Sequence, residues 1–406
     1  MQEYDYGIIG AGPAGYTAAL ALADKKVVLF EKDNVGGVCL NRGCIPTKTL
    51  LHFAELYEAA KNSQDLGICV DKCGFNFSKV VERKNEVIEK LRSNLERTLK
   101  SVTIIKSEAK IVDKNTVTAN DEIYKCGQII DATGSSPRQI KGMEYDHKFI
   151  LSSDDILGMS ELPKSIVIIG SGAIGIEFTR IMKAFEVEVT LVEIADNLLP
   201  LADIDVSKRV ERLFKDVKFY TKTSVEKIDN KTVYLSNGEV LKPDCVLLAV
   251  GRVANAKEKI DGVIYIGDVT SSIQLAHVAS KQALKVTSNI PFNEDLIPSI
   301  VYGTPEIAWV GKREQDLTGE VYRKSLIPIS AVAKSMCDCS NDGMIKILEQ
   351  NNKIVGAHII SKEASSLIQQ IVISMQANMG IEELKSVCFA HPTYSEGIFD
   401  CLMRLK

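Results

Sequence analysis

Residues 6–31 read YGIIGAGPAGYTAALALADKKVVLFE, and they give the clearest indication of how the chain folds. The apolar run at 6–9 predicts a short strand, and the alanine- and leucine-rich run at 16–23 predicts a helix. A second apolar run at 26–30 predicts another strand. A turn with three glycines joins the first strand to the helix. This order of strand, glycine turn, helix and strand is typical of a dinucleotide-binding unit.

The glycine turn has the spacing GxGxxG, and each glycine has a separate task. Gly10 permits the tight turn, Gly12 lets the backbone approach a pyrophosphate, and Gly15 lets the helix pack closely on the strand. Phosphates bound there meet the positive end of the helix dipole. Glu31 follows the second strand, where its carboxylate can accept hydrogen bonds from a ribose. The alternative, a glycine-rich turn without a ligand, is disfavoured because strand, helix and acid are all in place.

The same pattern recurs at 165–193, as SIVIIGSGAIGIEFTRIMKAFEVEVTLVE. Gly170, Gly172 and Gly175 form the second turn, and Glu193 follows the next strand. An acid at that point favours NAD, because the 2′-phosphate of NADP would meet a like charge. Two such units in one chain predict one site for FAD and one for NAD, with hydride passing between them.

Two cysteines lie shortly after the first unit, in GGVCLNRGCIPTK at 36–48. Cys39 and Cys44 are close enough in sequence for their Cα atoms to come within disulfide range in an irregular segment or a first helical turn. A thiolate at a helix N-terminus is stabilised and therefore reactive. From the spacing alone, two ordinary buried cysteines remain the alternative. The preceding nucleotide unit makes a redox pair the better interpretation.

Length and composition limit the remaining choices. A chain of 406 residues is too long for one ordinary core, so we expect two or three domains. A net charge of −4 gives no electrostatic case for binding nucleic acid or an anionic membrane surface. No apolar stretch is long enough to span a bilayer and no secretion signal opens the chain, so we expect a cytoplasmic protein. The ten cysteines are expected to be mostly reduced and buried.

The rest of the chain completes the predicted fold class. Residues 78–100 have the spacing of an amphipathic helix, and 103–117 resemble strands. Near the C-terminus, strand-like runs precede an apolar helix, which indicates a third domain of the α+β type; these elements are predicted at 326–332, 344–348, 354–360 and 364–377. We therefore predict an α/β protein with two Rossmann-like dinucleotide-binding domains and an α+β C-terminal domain.

The segment 36–48 closely resembles the active-site signature of the pyridine nucleotide–disulfide oxidoreductases. The resemblance covers nearly the whole chain. The opening GAGPAG is similar to the family's FAD-binding start, and 167–200 is similar to its NAD-binding domain. Further similar segments are DATG at 131–134, YIGD at 265–268, LAH at 275–277 and HPTYSE at 391–396. The resemblance implies an FAD-binding domain at 1–149 and 251–290, an NAD-binding domain at 150–250, and a C-terminal dimerisation domain at 291–406.

The resemblance also implies catalytic roles. Cys44 is the expected flavin-side thiol, and Cys39 is the thiol that exchanges with substrate. His391 is the expected acid–base catalyst, with Glu396 holding its tautomer. Thiol–disulfide exchange needs a thiolate and a proton donor, and histidine suits the second task near neutral pH. Because the family's HPTxSE segment enters the partner subunit's site, an obligate homodimer is implied.

The resemblance implies an ion pair of Lys48 with Glu177 near the reactive end of the flavin ring system. It also implies a set of cofactor contacts spread over both nucleotide units and the segments between and after them. These residues are Gly10, Gly12, Gly15, Glu31, Lys48, Thr133, Gly134, Gly170, Gly172, Gly175, Glu193, Gly251, Arg252, Gly267, Asp268 and Ala276.

Within the family, LNRGCIPTKTLLH at 40–52 is most similar to the members that oxidise dihydrolipoyl groups. The implied partner is a lipoyl-bearing protein of a 2-oxo acid dehydrogenase or glycine cleavage complex. One alternative is a reductase of another small disulfide such as glutathione, which Glu193 disfavours because the glutathione enzyme uses NADPH. Another is a non-catalytic flavin-bearing assembly subunit, which the retained catalytic residues disfavour.

Two features depart from the family pattern or compete with it. The segment GRVAN at 251–255 lacks the usual proline, and 252–267 is shorter than family members carry. We still expect FAD binding, because Asn255 and Asp268 are retained. The cysteine pairs at 69/73 and 337/339 have no clustered histidine or further cysteine pair nearby, so structural thiols are expected there and no metal site is predicted.

Overall fold

The computed structural model describes residues 2–255, 258–270 and 273–405. Residues 256 and 257, within the segment predicted to be shortened, lie outside the described residues. Residues 271 and 272, in the predicted second part of the FAD-binding domain, also lie outside the described residues. So do residues 1 and 406, the first residue of the predicted FAD-binding domain and the last of the predicted C-terminal domain. Within the described ranges, no helix combines the length and the apolar character that crossing a membrane requires.

The strands are numbered in chain order. They are β1 (Gln2–Ile9), β2 (Val27–Glu31), β3 (Thr103–Lys106), β4 (Lys110–Asp113), β5 (Thr116–Ala119), β6 (Glu122–Asp131), β7 (Ser135–Pro137), β8 (Ile150–Leu151), β9 (Ser165–Ile169), β10 (Glu188–Val192), β11 (Lys218–Tyr220), β12 (Val225–Asp229), β13 (Thr232–Leu235), β14 (Val240–Leu241), β15 (Cys245–Leu248), β16 (Arg252–Ala254), β17 (Ile264–Tyr265), β18 (Ser299–Val301), β19 (Glu306–Gly311), β20 (Arg323–Pro328), β21 (Met344–Gln350) and β22 (Lys353–Ser361).

The α-helices are numbered in the same way. They are α1 (Pro13–Ala21), α2 (Gly37–Arg42), α3 (Cys44–Lys61), α4 (Phe77–Thr98), α5 (Ser153–Gly158), α6 (Ala173–Ala184), α7 (Ile204–Leu213), α8 (Ala276–Ser288), α9 (Ala333–Cys337), α10 (Ala364–Gln376), α11 (Ile381–Lys385) and α12 (Glu396–Met403).

The first sheet has the order β3-β2-β1-β6-β5-β4, and β17 pairs with β6 in parallel. Strands β3, β2, β1 and β6 are parallel to one another, whereas β5 and β4 continue the sheet antiparallel. All five residues of β2 are buried, as expected for a parallel strand covered on both faces. Helix α4 begins where the Asn76 side chain accepts a hydrogen bond from Lys79 N, which satisfies one free N–H of its first turn.

The second sheet is parallel and has the order β11-β10-β9-β15-β8. Helix α6 connects β9 to β10, just as α1 connects β1 to β2. The predicted repeat of strand, glycine turn, helix and strand is therefore present twice. Together with the mixed C-terminal region, this confirms the predicted α/β fold class.

The C-terminal sheet is antiparallel, with the order β18-β19-β22-β21-β20. The prediction of one strand over 326–332 was wrong at its end. Strand β20 stops at Pro328, and Ile329–Ala331 form a 3-10 turn. Ile329 of that turn and Val332 directly after it are buried, so these apolar residues reflect core packing rather than continued strand.

A buried lysine joins the second sheet region to the C-terminal sheet. The side chain of Lys346, on β21, is fully buried, and its Nζ lies 2.7 Å from Asp203 Oδ1 and 2.7 Å from Asp205 Oδ2. It also contacts Glu314. Burial alone lowers the pKa of a lysine, but the hydrogen bonds to these three carboxylates outweigh burial and raise the pKa of Lys346. Lys346 therefore stays charged among its three carboxylates, and together they form a buried ion group where the second sheet region meets the C-terminal sheet.

The expectation that most cysteines are buried was wrong. Only Cys126, Cys245 and Cys401 are buried, and the redox candidates Cys39 and Cys44 are partly buried. The remaining five are exposed; they are Cys69, Cys73, Cys337, Cys339 and Cys388. These five lie in loops or at the ends of short helices, where composition does not indicate whether a side chain is buried.

Candidate active site

The first glycine turn packs so closely that a Cβ does not fit at Gly10 or Gly15. Gly10 has φ +94°, and a Cβ on it would lie 2.4 Å from Ala132 O. A Cβ on Gly15 would lie 1.7 Å from Gly10 O, which shows how near α1 comes to the turn. The carboxylate of Glu31 accepts a hydrogen bond from Ala11 N at 2.7 Å and so ties the end of β2 to the turn.

The second turn repeats this geometry. Gly170 has φ +98°, and a Cβ on Gly175 would lie 1.9 Å from Gly170 O. Glu193 accepts hydrogen bonds from both the backbone N and the Oγ of Ser171, each at 2.7 Å. A Cβ on Gly172 would meet nothing within 4 Å, so the backbone there faces open space.

Gly12 and Gly172 directly precede helices α1 and α6 and provide no side-chain cap. Pro13, the first residue of α1, has no N–H, but the other N–H groups of each first turn have no side-chain cap, and phosphate oxygens are the usual acceptor at such a turn. Because glycine also keeps the approach clear of side chains, both turns fit a dinucleotide pyrophosphate.

One cavity of about 1600 Å³ connects the two turns. Pockets for one small ligand measure roughly 300–1,000 Å³, so this cavity has room for more than one ligand. Most of the predicted cofactor residues line it, namely Gly10, Gly12, Glu31, Lys48, Thr133, Gly134, Gly170, Gly172, Glu193, Gly251, Arg252, Gly267, Asp268 and Ala276. Gly15 and Gly175 do not line it and instead lie at the helix–turn contacts described above.

Asp268 is held at the cavity wall through Ser135. Its Oδ2 accepts a hydrogen bond from Ser135 Oγ at 2.6 Å, and the same Oγ accepts one from Arg252 Nε at 2.8 Å. Asn255 donates from its side chain to Thr133 O at 2.7 Å. The GRVAN segment therefore remains attached to the first sheet region without the proline usual in the motif.

The two predicted redox cysteines lie together in the same cavity. Cys39 is on α2, and Cys44 is the first residue of α3 after Gly43. Both are free thiols within hydrogen-bonding contact of each other. The hydrogen bond from Cys39 and the nearby charge of Lys48 lower the pKa of Cys44 to about 7, although burial opposes them. The same contact raises the pKa of Cys39, so the thiolate of the pair resides on Cys44.

Lys48 lies one helical turn after Cys44 on α3. Its Nζ donates to both carboxylate oxygens of Glu177, at 2.9 Å each. Glu177 is on α6 and is buried, so this ion pair joins the thiol helix to the second nucleotide unit. The positive charge of Lys48 stabilises the Cys44 thiolate, whereas Glu177 opposes it.

His391 and Glu396 form a separate pair. His391 Nδ1 lies 2.9 Å from Glu396 Oε1, and the other oxygen of Glu396 accepts from Thr393 N at 3.0 Å. These hydrogen bonds, first from Thr393 and then from His391, lower the pKa of Glu396. The imidazole is largely exposed and does not line the cavity that holds the thiols. Within one chain, therefore, the histidine and the dithiol are not brought together.

Two tyrosines near the thiols, and an arginine that holds one of them, were not predicted from the sequence. The pKa of Tyr16, directly after the third glycine of the first turn, is raised by burial and by the charges of Cys39 and Cys44. Tyr302 places its ring beside Lys48, and Arg180 of α6 donates to Tyr302 O at 2.8 Å. No local motif marks Tyr302 or Arg180, whereas Tyr16 could have been found by its position.

Two nucleotide turns and a dithiol in one cavity define the class, a dinucleotide-dependent oxidoreductase with a thiol–disulfide centre. Comparison with known families agrees. Residues 4–263 match the model described as pyridine nucleotide–disulphide oxidoreductase, and residues 297–400 match the dimerisation domain of the same family. The chain belongs to this family. The predicted family is confirmed, and the predicted cofactors FAD and NAD are those that the family uses.

Curated relatives match nearly the whole chain. A dihydrolipoyl dehydrogenase of Chlamydia pneumoniae is 33% identical over 440 residues, which cover 97% of this chain and 95% of that protein. A dihydrolipoyl dehydrogenase of Bacillus subtilis is 31% identical, with 98% and 96% covered. A leghemoglobin reductase of Vigna unguiculata is also 31% identical, with 99% and 87% covered.

Solved structures have the same fold. LpdA from Mycobacterium tuberculosis superposes with a TM-score of 0.90 at 22% identity, covering 100% of this chain and 99% of that one. The HOCl-induced flavoprotein disulfide reductase RclA from Escherichia coli gives 0.87 at 24% identity, covering 99% and 100%.

Proposed function

We propose that this chain is a dihydrolipoyl dehydrogenase, which oxidises a protein-bound dihydrolipoyl group and reduces NAD⁺ through FAD. The observation that carries the proposal is the single cavity that contains both glycine turns and the Cys39–Cys44 pair. The similarity to full-length relatives of that name supports the choice of substrate.

Each cofactor has its own half of the cavity in this proposal. FAD would be held by the first turn, by Glu31 and Asp268, and by the other lining residues of 1–149 and 251–290. NAD would be held by the second turn and Glu193 in 150–250. Glu193 supports NAD over NADP because it is an anion at the end of β10 and is already bonded to the turn. When bound, the two cofactors would supply the route for two electrons between the dithiol centre and NAD⁺, with hydride passing between the flavin and the nicotinamide.

The thiol chemistry assigns different tasks to the two cysteines. A substrate thiolate attacks the Cys39 sulfur of the Cys39–Cys44 disulfide, forms a mixed disulfide and releases the Cys44 thiolate. The second thiol of the substrate then attacks the substrate sulfur that is bonded to Cys39 in the mixed disulfide, and Cys39 leaves as a thiol. The substrate leaves as a cyclic disulfide, and the enzyme keeps two electrons as a dithiol. The lowered pKa of Cys44 and the nearby charge of Lys48 support it as the leaving thiolate.

His391 supplies the proton transfers in this proposal. It would take a proton from the substrate thiol and return it to Cys39, while Glu396 holds the imidazole by its Nδ1. Because His391 lies outside the cavity of its own chain, we propose that it serves the dithiol of the partner subunit in a homodimer. The match of residues 297–400 to the family's dimerisation domain supports this assembly.

The proposed partner outside the dimer is a lipoyl-bearing protein of a 2-oxo acid dehydrogenase or glycine cleavage complex. Such proteins present the same dithiol arm, so the chemistry of this site accepts any of them. The name of one relative, a leghemoglobin reductase, favours a second candidate, an NADH-dependent reductase of another acceptor.

An anaerobic assay separates these functions. The purified holoenzyme is offered NADH or NADPH, each with lipoamide and, separately, with oxidised glutathione. We expect fast turnover with NADH and lipoamide. Turnover only with glutathione or only with NADPH would reject the substrate or the cofactor. Turnover of neither disulfide would reject the proposed substrate and would fit a non-catalytic subunit or a reductase of another acceptor. Cys44→Ser should abolish lipoamide turnover while the protein keeps its flavin.

Mixed dimers test the shared site. Subunits carrying Cys44→Ser and His391→Gln are coexpressed with different tags, and the heterodimer is isolated. If each site combines the dithiol of one chain with the histidine of the other, the heterodimer has one intact site and about half the wild-type activity. If each site is built from a single chain, the heterodimer has no intact site and activity stays at the level of the variants.

A further inference from the structure

Tyr302 lies directly after β18, where the C-terminal sheet meets the second nucleotide unit, and its backbone is fixed from both sides. Its N–H donates to Glu177 Oε1 at 3.0 Å, and its carbonyl accepts from Arg180 Nη1 at 2.8 Å. Glu177 and Arg180 are three residues apart on α6 and therefore share one face of that helix. The two hydrogen bonds hold the peptide of Tyr302 against this face.

The next residue leaves room for this anchor. Gly303 has φ +126°, a conformation that favours glycine, and a Cβ there would lie 2.4 Å from Arg180 Nη1. Any larger residue would push the guanidinium off the Tyr302 carbonyl. Burial lowers the pKa of Arg180 to about 10, so Arg180 remains a cation near neutral pH.

The ring of Tyr302 contacts the ammonium group of Lys48. Lys48 Nζ lies 4.6 Å from the ring centroid while it donates to both oxygens of Glu177. This distance is typical of a cation–π interaction. Burial raises the pKa of Tyr302, so the ring stays a neutral phenol near neutral pH. Lys48 is thus held between a carboxylate and an aromatic face, with little freedom to turn away from the thiols.

We infer that Tyr302 is a positioning residue of the dithiol centre: anchored to α6 by its backbone, it fixes the Lys48 ammonium beside Cys44 with its ring. The inference rests on the proposed function, in which the Cys44 thiolate is the electron-rich partner of FAD. Within one chain, the charged or titratable groups that act on Cys44 are Cys39 from α2, Lys48 from α3, Glu177 from α6, Tyr16 from α1 and Tyr302 itself. Of these, Lys48 is the cation that favours the thiolate.

The test is a pH titration of the anaerobic holoenzyme after reduction by two electrons with dihydrolipoamide. The long-wavelength absorbance of the thiolate–flavin contact is recorded for wild type, Tyr302→Phe and Tyr302→Leu. We expect Tyr302→Leu to move the midpoint to higher pH by about one pH unit, the size that a partly desolvated cation–π contact supports. Tyr302→Phe keeps the ring and should titrate like wild type. Trp309→Leu is the matched control, because Trp309 packs on the same core as Tyr302.

The outcomes separate the inference from the function on which it rests. If wild type shows no such absorbance at any pH, the proposed function fails. If wild type titrates but Tyr302→Leu has the same midpoint, or if Tyr302→Phe or Trp309→Leu shifts as far, the positioning role is overturned. Should Tyr302→Leu not retain flavin, Tyr302→Met fills similar volume without an aromatic face and is expected to shift in the same direction.

Discussion

The two nucleotide units of this chain have almost the same turns and different helices. In both, the first glycine has a positive φ, the second begins a helix without a side-chain cap, and the third touches the first. The helices differ one turn later. In α1, Thr17 donates to Ser280 of the neighbouring α8. In α6, Glu177 and Arg180 reach Lys48 and Tyr302 instead.

This difference separates the glycine turn, which the two units share, from the side chains one helical turn later, which differ. The turn is built from backbone, so it can be repeated without change and presents the same backbone geometry twice. The next turn of the helix projects side chains, and these decide whether the unit packs on a neighbour or reaches the dithiol centre. In the first unit the helix packs on the neighbouring α8, whereas the helix of the second unit supplies Glu177, the counterion of Lys48.

The largest expected effect comes from the third glycine of each turn. We predict that Gly15→Ala reduces the flavin content of the purified protein to below about a tenth, because the added methyl collides with Gly10 O. Gly175→Ala should keep the flavin, but the fraction of that flavin that NADH reduces should fall to a similarly low level. The flavin-to-protein absorbance ratio and anaerobic NADH titration measure the two effects. Gly74→Ala is the control, since a Cβ there meets nothing. Equal loss of flavin in both variants would mean that the two turns do not serve separate cofactors.

The second prediction concerns the helix positions at which the units differ. Glu177→Gln removes an anion that opposes the Cys44 thiolate, so the titration midpoint of Cys44 should fall by about one pH unit. Lys48→Met should move it the opposite way, because the cation that stabilises the thiolate is lost. Thr17→Val, the corresponding change in α1, should leave it unmoved. The pH dependence of iodoacetamide alkylation, followed by peptide mass spectrometry of Cys44, measures all three. Shifts of the same sign for Glu177→Gln and Lys48→Met would contradict the assignment.

The third prediction uses the acids that follow each unit. Glu193→Gln keeps one oxygen that can accept from Ser171 but loses the charge and the acceptor for Ala195 N, and we expect the KM for NADH to rise about tenfold. Glu31→Gln should weaken flavin retention without changing that KM. Steady-state kinetics and flavin release on dilution distinguish the two variants. An unchanged KM in Glu193→Gln would remove the case for a ribose contact.

The smallest expected effect belongs to the residue after the first glycine, which is alanine in one turn and serine in the other. Ser171 Oγ donates to Glu193 at 2.7 Å and accepts from Leu199 N at 3.2 Å. Ser171→Ala should lower the free energy of unfolding by about 1 kcal/mol and the Tm by about 2 °C, with normal flavin content. Thermal unfolding of the holoenzyme checks this. A loss of NADH binding at unchanged Tm would instead place the hydroxyl in ligand contact.

Local patterns predicted the nucleotide units because each turn is determined by neighbouring residues. The glycine spacing, the flanking strands and the terminal acids all lie within about 30 residues, the length of one βαβ unit. The pairing of His391 with Glu396, which are five residues apart and hydrogen-bonded, followed from the family resemblance. The strand predicted over 326–332 failed because an apolar run does not distinguish a strand from a buried 3-10 turn.

Contacts between distant segments could not be derived from local patterns. Lys48 and Glu177 are 129 residues apart, and their pairing followed only from the family resemblance. Tyr302 and Arg180 lie in no motif, so their contacts became visible only with the packing of α6 against β18. Cysteine exposure was mispredicted for a related reason, since depth depends on the packing of the whole chain and not on residue type alone.

The buried Lys346 determines which parts of this chain can be exchanged with those of a relative. Its carboxylate partners come from two regions, with Asp203 and Asp205 at the start of α7 and Glu314 before β20. A chimera that replaces 297–400 brings in a new residue at the lysine position while Asp203 and Asp205 stay behind. An uncompensated buried charge costs about 3–5 kcal/mol, so a mismatched junction would fold poorly even if both parents fold well. Segments can therefore be exchanged across this boundary only between parents that have the same residues at the position of Lys346 and at the positions of its carboxylate partners.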